Sequence, residues 1–307
     1  MQLFEKVKMS LKESISLLLK SNYFLFKAVR VPLAIIGYFK KRISSPIEDE
    51  WVSRINTVIL SPDNQHIKRV TGAGEIKGDT QIMHNGIKIH AGSYYGDGNT
   101  VLLHKNEGVH EPQEEKVFEE IISLLPPRPV MLELGAFWGF YSMSFQQKAE
   151  NGINYLIEPD PHALLSGKNN FRLNKLKGNF FNYYVSDELI EGKVPTVTID
   201  WFLRSNNIPR LNILHSDIQG FELKMLTGSS QYLQEGKIDY IFISTHSNEL
   251  HSDCKRYLVK FGYQILCDAD LDETFSWDGL IVAKHKNVAG PDKLVISKRD
   301  KRQTITQ

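Results

Sequence analysis

From Val130 onward, short apolar runs alternate with amphipathic ones, and this rhythm constrains the fold more than any other feature. The runs at Val130–Leu134, Ile153–Ile157, Asn179–Val185, Leu211–His215, Ile238–Ser244, Tyr263–Leu266 and Leu280–Lys284 read as strands. Helical patterns fall between them at Phe140–Lys148, Pro161–Asn174, Ile199–Ser205, Phe221–Leu233 and Glu249–Phe261. Strands that alternate with helices make a parallel sheet covered on both faces. The expected fold is therefore α/β: a Rossmann-like, doubly wound sheet of seven strands, mostly parallel. Such sheets bind ligands beyond the carboxyl ends of their strands, so function should sit at the strand ends.

The first strand runs into Glu133-Leu134-Gly135-Ala136-Phe137-Trp138-Gly139. A buried strand feeding a glycine-bearing turn and then a helix commonly holds a nucleotide-like ligand, because glycine lets the backbone approach it. The spacing is not the G-x-G-x-x-G of pyrophosphate binders. Phe137 and Trp138 would crowd a diphosphate, whereas a smaller ligand without phosphates tolerates them. Glu133, Gly135, Ala136, Phe137 and Gly139 are the cofactor candidates here. The second strand ends in Glu158-Pro159-Asp160-Pro161. An acid at this place is positioned for ribose hydroxyls. Asp160 has a structural alternative as the cap of a helix with Pro161 at its first position. Ser186-Asp187 ends the third strand and is a candidate to meet an adenine amine.

The fourth strand ends in His215-Ser216-Asp217-Ile218-Gln219-Gly220-Phe221-Glu222, and the fifth in Ser244-Thr245-His246-Ser247-Asn248. Asp217 faces whatever lies beyond the cofactor. Glu222, in a first helical turn, suits the positive end of a helix dipole. Consecutive strands of such a sheet are usually neighbours, which brings His246 beside Asp217. His215, inside its strand, is a weaker candidate with packing as its ordinary role. Asp217, His246 and Asn248 could together hold a divalent cation. Carboxylates look few for that, and no metal is expected.

The order of glycine turn, Glu158, Asp217 and a final Asp278-Gly279-Leu280-Ile281-Val282 strand resembles the class I S-adenosylmethionine-dependent methyltransferases. More narrowly, Glu158-Pro159-Asp160-Pro161 and the stretch from His215 to Glu222 are similar to motifs of the FkbM family. His215 and Gln219 stand where that family has lysine and glutamate. The resemblance covers roughly residues 110 to 285. It implies S-adenosyl-L-methionine as cofactor and O-methylation of a sugar, glycan or other hydroxylated metabolite. Removing the hydroxyl proton needs a base, and histidine titrates in the right range. His246 is the expected base, with Asp217 orienting it or gripping a substrate hydroxyl. Two other readings stay open: a nicotinamide-dependent oxidoreductase on a Rossmann-type sheet, and a non-catalytic binding protein with a methyltransferase fold.

Ahead of this domain (128–286) the pattern differs. Residues 1–79 form a basic, partly helical extension. Nine cations up to Arg42 are interleaved with apolar residues, against the acids Glu5 and Glu13. Lys27, Arg30 and Pro32 interrupt every apolar stretch well short of the ~20 residues a membrane span needs. The segment packs on the body or on a second subunit, or lies as an amphipathic anchor on an anionic membrane face. A strand is expected at Thr57–Leu60. Residues 80–127 read as a small β lead-in plus a helix, a substrate cover. Asn85-Gly86 is a hairpin signal, Gly96-Asp97-Gly98-Asn99 is a turn before a strand at Val101–Leu103, and a helix starts near Glu111. Residues 287–307 are a polar, basic tail.

With 37 basic and 36 acidic residues, net charge is +1, so no global field points to nucleic acid, and none is expected as a partner. Two cysteines, Cys254 and Cys267, make neither a disulfide framework nor a zinc motif. A cytoplasmic location follows, with membrane contact confined to residues 1–45 if the anchor reading holds.

Overall fold

The computed structural model describes residues 48–300. The basic segment 1–45, with its subunit and membrane readings, and the end of the tail lie outside the described residues. Among the described residues, no helix is long and apolar enough to cross a membrane.

The centre is a seven-stranded sheet of β4 (Val130–Leu134), β5 (Ile153–Ile157), β6 (Asn179–Phe181), β9 (Leu211–Ser216), β10 (Ile238–Thr245), β11 (Tyr263–Ala269) and β12 (Gly279–His285). Its order is β11-β12-β10-β9-β4-β5-β6. The pairs β4–β5, β5–β6, β4–β9 and β9–β10 are parallel. β12 runs antiparallel to both of its neighbours. This is the mostly parallel, doubly wound sheet that the strand and helix rhythm implied. β9 and β10 are buried along their whole length, because helices cover both faces. The core joins Leu132, Leu134, Leu214, Ile241 and Ile243 of the sheet to Phe202, Met225 and Leu258 of the helices.

The chain winds outward from β4 through β5 to β6, then returns to place β9 on the other side of β4. The crevice between the ends of β4 and β9 is thus the switch point, where such sheets take their ligands.

The helices are α1 (Asp49–Ile59), α2 (Gly96–Lys105), α3 (Pro112–Ile122), α4 (Phe140–Lys148), α5 (Pro161–Asn174), α6 (Ile199–Ser205), α7 (Glu222–Thr227), α8 (Ser230–Gln234) and α9 (Asn248–Lys260). A three-stranded antiparallel sheet, β1 (Ile76–Lys77), β2 (Thr80–Ile82) and β3 (Lys88–His90), lies between α1 and α2 in the chain, with the hairpin closed at Asn85-Gly86.

Four local expectations fail. Thr57–Leu60 is no strand: its residues continue α1, whose buried face is Arg54, Ile55 and Val58. Val101–Leu103 is no strand either but the buried middle of α2, so three consecutive apolar residues marked burial rather than extension. The third strand breaks after Phe181. Tyr184–Val185, β7, pairs instead with Thr196–Val197, β8. The helix expected over Phe221–Leu233 is two short helices, parted at Gly228 and Ser229.

Candidate functional site

A cavity of about 870 Å³ opens at the switch point. That is the size of a small-molecule site with room for more than one ligand. Gly135 and Phe137 of the first loop line it. So do Glu158, Pro159 and Asp160 after β5, Ser186 after β7, and Asp217 and Ile218 after β9. Its charged lining is acidic: Glu158, Asp160, Glu188 and Asp217 against Lys224.

Glu158 ties two of these loops together. Its Oε2 accepts from the Phe137 amide at 3.1 Å and its Oε1 from the Asp160 amide at 2.9 Å. Burial raises its pKa, and these two amides oppose the rise. Asp160 caps α5, where Oδ1 accepts from the His162 and Ala163 amides, so its carboxylate is committed to the helix end. Phe137 adopts a positive φ of 37°, a conformation that an L-residue holds only when its surroundings fix it.

Several predicted cofactor residues do not reach the cavity. Glu133 is buried behind the loop and accepts from the Ser142 amide of α4 at 2.9 Å. Ala136 and Gly139 shape the turn without lining the space. Asp187 points out to solvent and accepts from the Ser186 hydroxyl at 2.9 Å. Ser186 alone of that pair lines the cavity. His215 is likewise no catalytic group by position. It is buried inside β9, its Nε2 is 2.8 Å from Glu114 Oε1, and its ring packs on Tyr141.

Asp217 and His246 do meet, as adjacent strand ends implied, with Oδ1 and Nε2 3.3 Å apart. Two further carboxylates join them. Glu222 Oε1 faces His246 Nδ1 at 2.9 Å, and Asp278 Oδ1 faces Nε2 at 3.4 Å. Burial alone would lower the His246 pKa. Contacts with Asp217 and Glu222, with the charge of Asp278, outweigh it and raise the pKa to about 10. Both His246 nitrogens face carboxylates, which favours the charged ring over the neutral one that the expected base would need. Asp278 is pushed up to about 7 by burial and by the charge of Asp217, although His246 opposes the shift.

Asn248, the third residue of the cation alternative, is turned away. Its Nδ2 donates to Asp272 and its Oδ1 accepts from the Leu271 amide. Among the described residues, no group of three or more His, Cys, Asp or Glu could hold a metal ion.

The opposite wall comes from the lead-in. Tyr94 and Tyr95 line the cavity. Tyr94 stacks on Trp138, with centroids 4.4 Å apart and planes within 5°, and meets Phe137 edge-on. A buried network fastens this wall. His110 bridges Glu111 and Glu115, Glu115 also meets His84, and the Tyr141 hydroxyl donates to Glu111. Burial would lower the His110 pKa, but the charges of Glu111 and Glu115 raise it to about 10.

Sequence reasoning missed the part of Asp278 in this cluster and read Glu222 only as a dipole partner. Asp278-Gly279 at the start of the last strand was the available signal.

Residues 175–265 match the methyltransferase FkbM domain. The matched segment runs from the end of α5 through the Asp217 and His246 loops into β11. No curated protein matches the chain. Solved structures similar to it include TrmK of M. capricolum in complex with S-adenosylhomocysteine, at 12% identity over 57% of this chain and 70% of that one, TM-score 0.40. Another is precorrin-6y C5,15-methyltransferase of Geobacter metallireducens, at 12% identity over 56% and 88%, TM-score 0.38. A third is the tRNA (uracil-54, C5)-methyltransferase of Pyrococcus abyssi in complex with S-adenosyl-L-homocysteine, at 11% identity over 67% and 43%, TM-score 0.41.

Proposed function

We propose that this protein is an S-adenosylmethionine-dependent methyltransferase that methylates a hydroxyl of a sugar, glycan or other hydroxylated metabolite. The observation that carries the reading is the charge of the switch-point cavity. Four carboxylates and one lysine line it. That lining repels the diphosphate of a nicotinamide dinucleotide and favours a cationic sulfonium. Phe137, which lines the cavity beside Gly135, and the FkbM match at 175–265 support the same choice.

The residues present fit this cofactor. Glu158 stands where ribose hydroxyls would be gripped, Gly135 and Phe137 form the turn beneath, and Ser186 and Ile218 flank the far end. When bound, S-adenosylmethionine supplies an activated methyl group. The chain's own contribution is to hold acceptor and donor in line and to receive the acceptor's proton. Tyr94 and Tyr95 wall off one side of the acceptor space, and Asp217 offers a carboxylate to its hydroxyls. His246, held charged by Glu222 and Asp217, fixes the acidic cluster in place.

A comparison of methylated metabolites and glycans in strains with and without the gene tests the acceptor class. An O-methylated species that vanishes on deletion supports the reading. Loss of a methyl group from nitrogen or carbon instead would contradict O-methyl transfer.

A further inference from the structure

The lead-in reaches the switch-point cavity through the turn Gly92-Ser93-Tyr94-Tyr95-Gly96, which lines it along its whole length. Tyr95 holds a left-handed backbone there, with φ 45° and ψ 26°, at the start of α2. A bulky side chain in that conformation is an outlier, which persists only where its surroundings enforce it. The result is an aromatic residue that lines the cavity and is still 46% exposed. Two rings steady it: Tyr94, with centroids 4.5 Å apart, and Phe137, at 5.5 Å. Both contacts are edge-type, at 61° and 69° between planes, so neither ring covers Tyr95 face to face. Tyr94 is itself stacked on Trp138, which anchors the group to the glycine loop.

Two other half-exposed aromatic residues line the cavity, Tyr184 and Phe221. Tyr184 lies on β7 two positions before Ser186, on the side that fits the far end of the cofactor. Phe221 has the Lys224 ammonium 5.8 Å from its ring centroid. Tyr95 has neither constraint, and it shares the cavity with Asp217. We propose that Tyr95 is the acceptor-binding residue of this site, and that it takes the apolar face of an unphosphorylated sugar ring while Asp217 accepts from that ring's hydroxyls. This rests on the methyltransferase reading above and narrows its acceptor.

The chemistry of the two side chains sets the class. A sugar ring carries C–H groups on a face and hydroxyls around its edge. The C–H groups suit the negative face of an aromatic ring. The hydroxyls are donors, which an ionised carboxylate accepts strongly. The phenol of Tyr95 adds a donor of its own. Burial and the charge of Asp217 push its pKa up to about 12, so it keeps its proton through the physiological range. Phosphate is disfavoured by the rest of the lining. Glu158, Asp160, Glu188 and Asp217 outnumber Lys224 there, so a phosphorylated sugar or a nucleic acid meets like charge.

The test uses the full chain, S-adenosylmethionine with a deuterated methyl group, and a metabolite and glycan extract of cells lacking the gene. Mass spectrometry reads which species gains the label. The expected product is a sugar or glycan without phosphate. Label on a phosphorylated species or a nucleic acid overturns the proposal, and so does no label from a wild type that binds S-adenosylhomocysteine. Dilution of the extract then gives the amount needed for half-maximal transfer. Tyr95→Asn removes the ring with a residue that tolerates the left-handed backbone. Tyr95→Leu keeps the bulk without the flat face. Both should need about tenfold more extract, with maximal rate and S-adenosylhomocysteine affinity near wild type. Tyr95→Phe should restore most of the loss. Wild-type half-saturation in Tyr95→Asn or Tyr95→Leu overturns the role of Tyr95, and a loss of S-adenosylhomocysteine affinity in Tyr95→Leu does so by assigning the ring to the cofactor. A wild type that neither binds S-adenosylhomocysteine nor moves label overturns the methyltransferase reading, and the acceptor assignment falls with it.

Discussion

A Cβ on Gly135 would stand 1.7 Å from the main-chain carbonyl oxygen of Asp217. The loops after β4 and β9 are thus in backbone contact across the switch point, and Gly135 also holds a φ of +68°. Gly220, on the same side of the site, has a φ of +100° but open space around it. Gly135→Ala must push the Asp217 loop aside and should abolish S-adenosylhomocysteine binding. Gly220→Ala should lose only the backbone term of about 1–2 kcal/mol. Chemical denaturation and calorimetry on both variants check this. Equal losses in the two would show that the contact does not shape the site.

Glu158 uses both carboxylate oxygens to hold the Phe137 and Asp160 amides. Glu158→Ala frees the glycine loop and removes the acceptor for ribose hydroxyls. Bonds to a charged group are worth ~1.5–3 kcal/mol, so affinity for S-adenosylhomocysteine should fall roughly ten- to a hundredfold. An unchanged dissociation constant would refute that role.

The Tyr94–Trp138 stack, with ring centroids 4.4 Å apart, joins the lead-in to the glycine loop. Tyr94→Ala should destabilise the fold by about 3 kcal/mol, in the range for removing a buried aromatic side chain. Tyr94→Phe keeps the ring and should cost little. Urea unfolding measures both, and a Tyr94→Ala midpoint equal to wild type would count against the wall being part of the folded unit.

Stability should depend on the buried histidines. His110 has a folded pKa of about 10 against ~6.5 in an unfolded chain. The folded state binds that proton more tightly. Its contribution is therefore complete below about pH 6.5 and is lost as pH rises toward 10. His246 adds in the same direction. The melting temperature should fall between pH 6.5 and 10, and fall less in His110→Gln. A melting temperature that climbs over this range would contradict the network.

The sheet was legible because β9 and β10 are buried on both faces, so their apolar runs are continuous and bounded by clear turns. The pairing of Asp217 with His246 followed from strand adjacency alone. What stayed hidden was long-range. Nothing local in Asp278 says that it meets a histidine 32 positions earlier, or that Glu222 turns back onto the same ring. Local alternatives also won where backbone amides were nearby. Asp160 caps α5 and Glu133 accepts from Ser142, because an acid next to a helix start finds amides before it finds a ligand. α2 was misread because its apolar middle is buried, with Gly98 against the Trp51 ring, and short apolar runs do not distinguish helix from strand.

If the acid-lined cavity at the Gly135–Asp217 switch point holds a methyl donor, titration calorimetry of the full chain with S-adenosylhomocysteine and, separately, with NADH should show saturable binding of S-adenosylhomocysteine that Glu158→Ala weakens, and no binding of NADH. Binding of NADH with none of S-adenosylhomocysteine would contradict it.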